Sequence, residues 1–175
     1  MSRSCVAFLR GIAPANPLMR NTELRAVFER LGLDDVRTVL SSGNVLFESS
    51  ESSSAALETA IEDALQRHLG APCATFVVCR RRMERLIAFD GFDDDAGGRQ
   101  QIVTFLRSPP RPGPVLPHEQ DGSTVLALHE GALFSVVGAS GPAVLRWIER
   151  EYGKANTTRS WRTVLRVMSS LGPAP

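Results

Sequence analysis

Apolar residues recur along this chain with two rhythms. Cys5-Val6-Ala7-Phe8-Leu9 is an unbroken apolar run, the pattern of a strand covered on both faces. A ten-residue loop from Gly11 to Arg20 follows, with Gly11, Pro14 and Pro17. Leu24, Val27, Phe28 and Leu31 then fall at i, i+3, i+4 and i+7. That spacing predicts a helix with one apolar face, capped by Asn21 and closed by Gly32. Two short strands are expected at Val36–Leu40 and Val45–Glu48. Ser41-Ser42-Gly43-Asn44 joins them, with Gly43 supplying the positive φ of a tight turn. Leu57, Ile61 and Leu65 recur every four residues on a second helix, which Gly70 and Pro72 stop. Ala74–Cys79 is another apolar strand.

The order β-α-β-β-α-β within about 80 residues matches the ferredoxin-like split βαβ unit, an antiparallel four-stranded sheet with both helices on one face. The second half begins with a helix around Met83, Leu86 and Ile87. An acidic loop, Asp90 to Gly98, leads to a strand at Gln101–Arg107. The five prolines between Ser108 and Pro117 make a stiff connector. Thr124–His129 and Ala132–Val137 form a hairpin about Glu130-Gly131. Pro142 opens a helix striped by Val144, Trp147, Ile148 and Tyr152 and closed by Gly153. A last helix is expected from near Thr158, with Trp161, Val164, Leu165, Met168 and Leu171 on one face, before a frayed Gly-Pro-Ala-Pro end. The expected class is α+β: a ferredoxin-like subdomain over residues 1–80, then a second small α+β subdomain with C-terminal helices over residues 81–175.

Length and composition fit this reading. The chain has 175 residues, 43% apolar and 22% charged, enough for a core without a staple and unlike a disordered chain. No apolar run reaches the roughly 18 residues of a transmembrane helix. Twenty basic and nineteen acidic side chains give a net charge of +1, so bulk charge names no partner. The three cysteines, Cys5, Cys73 and Cys79, form no C-x-x-C pair and lie in strand-like runs, so buried reduced thiols are expected and no metal. The first apolar run ends at Arg10, too short for a signal peptide, which makes a cytoplasmic location the expectation.

Several segments resemble a known family. Val6-Ala7-Phe8-Leu9-Arg10-Gly11-Ile12, Met19 with Glu23-Leu24-Arg25, Arg37-Thr38 and Ser42-Gly43-Asn44-Val45 through Phe47 are similar to the bacterial family called domain of unknown function 1697. So is Thr158-Arg159-Ser160-Trp161 with Thr163-Val164. The first loop departs from the commoner glycine-rich, lysine-containing pattern, and Ser160 stands where Asn is frequent. The resemblance implies a two-part α+β protein whose first part is ferredoxin-like. It implies no activity or cofactor.

Candidate chemistry therefore rests on the residues themselves. The loop after the first strand is flanked by Arg10 and Arg20 beside a helix N-terminus, where backbone N–H groups and a guanidinium fork attract anions. Near the last helix, Thr158, Arg159 and Trp161 stand within a stretch holding six basic and two acidic residues from Arg146 onward. These five side chains are the expected binding residues, and the leading reading is a module for a small anionic or nucleotide-like ligand. An enzyme with an unrecognised site between the subdomains is one alternative; an interaction module working through a sheet edge or the proline connector is another. Ser41-Ser42-Gly43-Asn44 and Gly138-Ala139-Ser140-Gly141 lack the nucleophile-elbow pattern and read as turns. The acidic group Asp90, Asp93, Asp94 and Asp95 lacks calcium-loop spacing. Phe8, Phe47 and Phe76 are flanked by Val, Leu and Ala, which favours core packing over an RNA platform.

Overall fold

The computed structural model describes residues 2–89, 91–92, 98–110, 112–138 and 142–171. The aspartates 90 and 93–95, residues 139–141 and the last four residues lie outside these. The elements are β1 (Arg3–Leu9), α1 (Asn21–Arg30), β2 (Asp34–Thr38), β3 (Asn44–Ser49), α2 (Ser54–Leu69), β4 (Thr75–Cys79), α3 (Arg80–Ala88), β5 (Gln100–Leu106), β6 (His118–Gln120), β7 (Ser123–His129), β8 (Ala132–Val137), α4 (Pro142–Tyr152), β9 (Asn156–Ser160) and α5 (Trp161–Ser170). A single 3-10 turn, Pro17–Met19, precedes α1. The class is mixed α+β with two antiparallel sheets. The chain divides into two compact units, Met1–Glu84 with Arg166–Pro175, and Arg85–Leu165. No helix among the described residues is long and apolar enough to cross a membrane.

The first unit holds a four-stranded sheet in the order β2-β3-β1-β4, antiparallel throughout. Strand alternation sends Cys5, Ala7, Leu9, Val45, Phe47 and Val77 to one face. There they meet Leu24, Val27 and Phe28 of α1 and Leu57, Ile61 and Leu65 of α2. Val6, Phe8, Leu46, Phe76 and Val78 occupy the other face and are buried as well. This explains why β1 reads as a continuous apolar run. It also removes the three phenylalanines as an exposed stacking platform.

The termini of α2 follow its sequence. The Ser53 hydroxyl accepts from the Ala56 amide at one end, and Gly70 takes the left-handed conformation at the other. Between them, two carboxylates reach the outer edge of β4. The Val77 amide donates to Glu58 Oε1 at 2.9 Å, and the Thr75 amide to Glu62 Oε1 at 2.8 Å. One helical turn, about 6 Å, matches two residues of strand, about 6.6 Å, so i,i+4 acceptors fit i,i+2 donors. The opposite edge, β2, is short, irregular and charged, with Asp34, Asp35 and Arg37.

The second unit's sheet runs β6-β7-β8-β5-β9. Ile102, Leu106, Val125, Leu133 and Val137 pack on one face against Val144, Trp147, Ile148 and Tyr152 of α4. His118 stacks on Trp147 at 3.9 Å, and Tyr152 meets the same indole edge-on at 5.9 Å. Four other large rings form a second cluster, in which Phe134 contacts Phe89, Phe92 and Trp161. The Glu130-Gly131 hairpin turn has positive φ at both residues, 49° and 71°, as two-residue antiparallel loops require.

Four local expectations are corrected. Arg20, not Asn21, holds the N-cap position of α1; the Asn21 amide instead donates to the Leu40 carbonyl at 3.2 Å. The stretch around Thr158 is strand β9, paired with β5, and α5 starts at Trp161 with the Ser160 hydroxyl accepting from the Thr163 amide. Leu165 is exposed, while Val164, Val167 and Leu171 are buried. Cys5 and Cys79 form a disulfide, because the β1–β4 register sets them directly opposite each other; Cys73 stays outside it as a buried thiol.

Two measurements check this description. Replacing Glu58 and Glu62 together by Ala strips the acceptors from the β4 edge and should cost about 2–4 kcal/mol in urea unfolding, at about 1–2 kcal/mol per lost bond. The double Gln variant, which keeps carbonyl acceptors, should lose less; equal losses for both pairs would show that the edge bonds contribute nothing specific. Tyr152 is the sole tyrosine of the chain, so its phenolate absorbance can be followed alone. Burial, and secondarily the Glu151 carboxylate, push its phenol up, so its titration midpoint should lie above the ordinary value of about 10. The stability this phenol contributes is fully present below the unfolded pKa and is lost as pH rises through the folded one. A midpoint at or below about 10 would place the ring in water.

Candidate functional site

The loop after β1 is built by short, local bonds. Gly11 turns the chain at φ 75°. The Arg10 amide donates to the Ala74 carbonyl at 2.8 Å, and the Cys73 thiol donates to the Arg10 carbonyl at 3.4 Å. Asn16 Oδ1 accepts from the Leu18 amide, starting the 3-10 turn, and Met19 Sδ accepts from the Ala13 amide. Arg10 is half-buried and Arg20 exposed. No side chain caps α1 at Arg20, and the Arg20 guanidinium has no hydrogen-bond or ion-pair partner among the described residues.

Facing this loop is the serine turn. The Leu9 amide donates to the Gly43 carbonyl, while Asn44 Nδ2 donates to the Val39 carbonyl and the Ser42 hydroxyl, both at 2.9 Å. Gly43 has φ 72°, and a Cβ there would lie 2.5 Å from Ile12 Cγ1. The residue is thus required both by its backbone conformation and by the closeness of the loop. Ser42 serves the turn as an acceptor, in keeping with the turn reading of this segment.

The other three expected residues lie in the second unit, on and after β9. Thr158 Oγ1 pairs with Thr104 Oγ1 at 2.9 Å. One guanidinium nitrogen of Arg159, Nη1, donates to Thr157 Oγ1 and to the Thr158 carbonyl, each at 2.9 Å. The Trp161 ring lies 5.2 Å from Phe92 and 5.9 Å from Phe134. Thr158 and Arg159 are therefore presented by an edge strand, with hydroxyl and guanidinium engaged locally, and Trp161 is the first residue of α5.

A further concavity was not anticipated from the sequence. A groove of about 360 Å³ on the first unit is lined by Val27 and Arg30 of α1, by Leu31 at its C-cap, and by Ala64, Arg67 and His68 of α2. Each helix contributes an i, i+3, i+4 set with an arginine at its centre. That signal was present in the amphipathic stripes, where Arg30 and Arg67 border the apolar positions. His68 Nε2 donates to the Leu18 carbonyl at 3.1 Å and lies 3.7 Å from Glu23 Oε2. On the second unit, a smaller concavity of about 240 Å³ is lined by Arg99, Glu119, Gln120, Asp121, Gly122, Ser123 and Thr124, a mixed set with no dominant charge. No group of three or more His, Cys, Asp or Glu among the described residues is placed to hold a metal ion.

Comparison with known proteins agrees with the fold. A solved structure of a conserved bacterial protein, SP0830 from Streptococcus pneumoniae, superposes with a TM-score of 0.72 at 18% identity, covering 98% of this chain and 99% of that one. At that identity the likeness shows the fold alone. No curated protein matches the sequence. The family model described as protein of unknown function DUF1697 matches residues 1–134, and the chain belongs to that family.

Proposed function

We propose that the protein is a binding module for a small anionic or nucleotide-like ligand, received by the first unit where β1 passes into α1. The observation that carries this reading is Arg20. Its guanidinium is exposed, has no partner among the described residues, and stands at the uncapped N-terminus of α1. Helix N–H groups left without a capping side chain, with a guanidinium beside them, favour a phosphate or carboxylate. Arg10 belongs to the same loop. Thr158, Arg159 and Trp161 belong to the second unit and form no part of this first-unit site.

Thermal unfolding with nucleotides, pyrophosphate and phosphorylated metabolites tests the proposal. A ligand at 100 times its dissociation constant should add about 2.7 kcal/mol of stability. Arg20→Ala should abolish that gain while leaving the ligand-free transition unchanged, because the side chain is exposed. A full set of millimolar ligands giving no shift, or a shift that survives Arg20→Ala, overturns it.

A further inference from the structure

We propose that the groove between α1 and α2 is a second, separate site, for a small amphiphilic anion: an apolar body carrying a phosphate or carboxylate head. Three features of the groove point to this chemistry.

The first is its lining. Val27 is buried, Leu31 and Ala64 are half-buried, and together they make an apolar floor. A volume of about 360 Å³ lies within the roughly 300–1,000 Å³ of small-ligand pockets, which pair apolar walls with a few polar groups.

The second is the state of its arginines. Arg25 pairs with Glu29 at 2.7 Å and Arg80 with Glu84 at 2.9 Å, both at i,i+4. Arg30 and Arg67 have no such partner among the described residues. Asp63 stands one turn before Arg67, the order in which an acid and a base pair readily on a helix, yet the two make no ion pair. Arg67 lines the groove instead. Two guanidinium groups on one concavity repel each other and offer forked donors, so an oxyanion between them relieves the repulsion and fills the forks.

The third is rigidity. Five of the six lining residues stand on two helices, and the sixth, Leu31, is the residue that closes α1. The turn of α2 is set by Leu57, Ile61 and Leu65 in the core and by Glu58 and Glu62 on β4. The imidazole of His68 is held by Leu18 and Glu23, which leaves its Nδ1 without a partner among the described residues. The groove's basic edge is thus preorganised, with the Glu23 carboxylate beside its imidazole.

The apolar floor separates this site from a plain phosphate trap. Inorganic phosphate satisfies the arginines but leaves Val27, Leu31 and Ala64 in water; a phenol does the reverse.

The test is a methyl and amide NMR titration of the full chain with phenyl phosphate and benzoate, alongside inorganic phosphate and phenol. Phenyl phosphate or benzoate should move the Val27, Leu31 and Ala64 methyl signals and bind about tenfold or more tightly than inorganic phosphate or phenol, a difference of about 1.4 kcal/mol. The stronger of the two identifies the head group. Arg30→Ala with Arg67→Ala should weaken binding by about tenfold or more. Both side chains are exposed, and the ligand-free spectrum of the variant checks its fold. Arg20→Ala should leave this binding unchanged. No movement of the three methyl signals, equal binding of phenol, or indifference to the double variant overturns the proposal. Binding lost with Arg20→Ala but kept in the double variant also overturns it, and leaves the α1 N-terminal reading standing.

Discussion

Two glutamate carboxylates on the outer edge of β4 set much of the first unit's geometry. A strand at the end of a sheet presents unpaired N–H groups that invite another chain. Here Glu58 and Glu62 accept those of Val77 and Thr75. The same bonds pin the rotation of α2 about its axis. With one side of the helix tied to the strand edge and Leu57, Ile61 and Leu65 facing the sheet, Ala64, Arg67 and His68 must face α1. The edge closure, the core and the basic groove are three faces of one helix, and moving any of them moves the others.

The second unit solves its packing with rings. Its sheet is apolar on both faces. One face carries the Trp147, His118 and Tyr152 group under α4; the other carries Phe89, Phe92, Phe134 and Trp161. A few buried hydroxyls interrupt this. Thr104 is paired with Thr158, whereas Ser135 Oγ and the Tyr152 hydroxyl have no partner among the described residues. Such orphaned groups cost stability in an otherwise apolar layer.

What the sequence revealed followed periodicity and punctuation. The unbroken run at β1, the helical stripes of α1, α2 and α4, the Gly43 turn and the Glu130-Gly131 hairpin were all legible, because each depends on residues close in sequence. The misread features depend on partners far away. Asn156–Ser160 is a strand because β5 lies beside it. Its Thr-rich sequence alone fits a helix entry equally well. The Cys5–Cys79 bond needs the β1–β4 register, across a separation of 74 residues. The site expectations show the same division. Arg10 and Arg20 were put forward for their nearness to a local loop. The pairing of Arg30 with Arg67 required knowing that α1 and α2 are neighbours.

The first unit is completed from both ends of the chain, since Arg166 onward, with buried Val167 and Leu171, counts among its residues. On a ribosome, the second unit therefore emerges whole before its predecessor has its last pieces. Until residues 166–171 follow the second unit out, Val167 and Leu171 are missing from the core of the first.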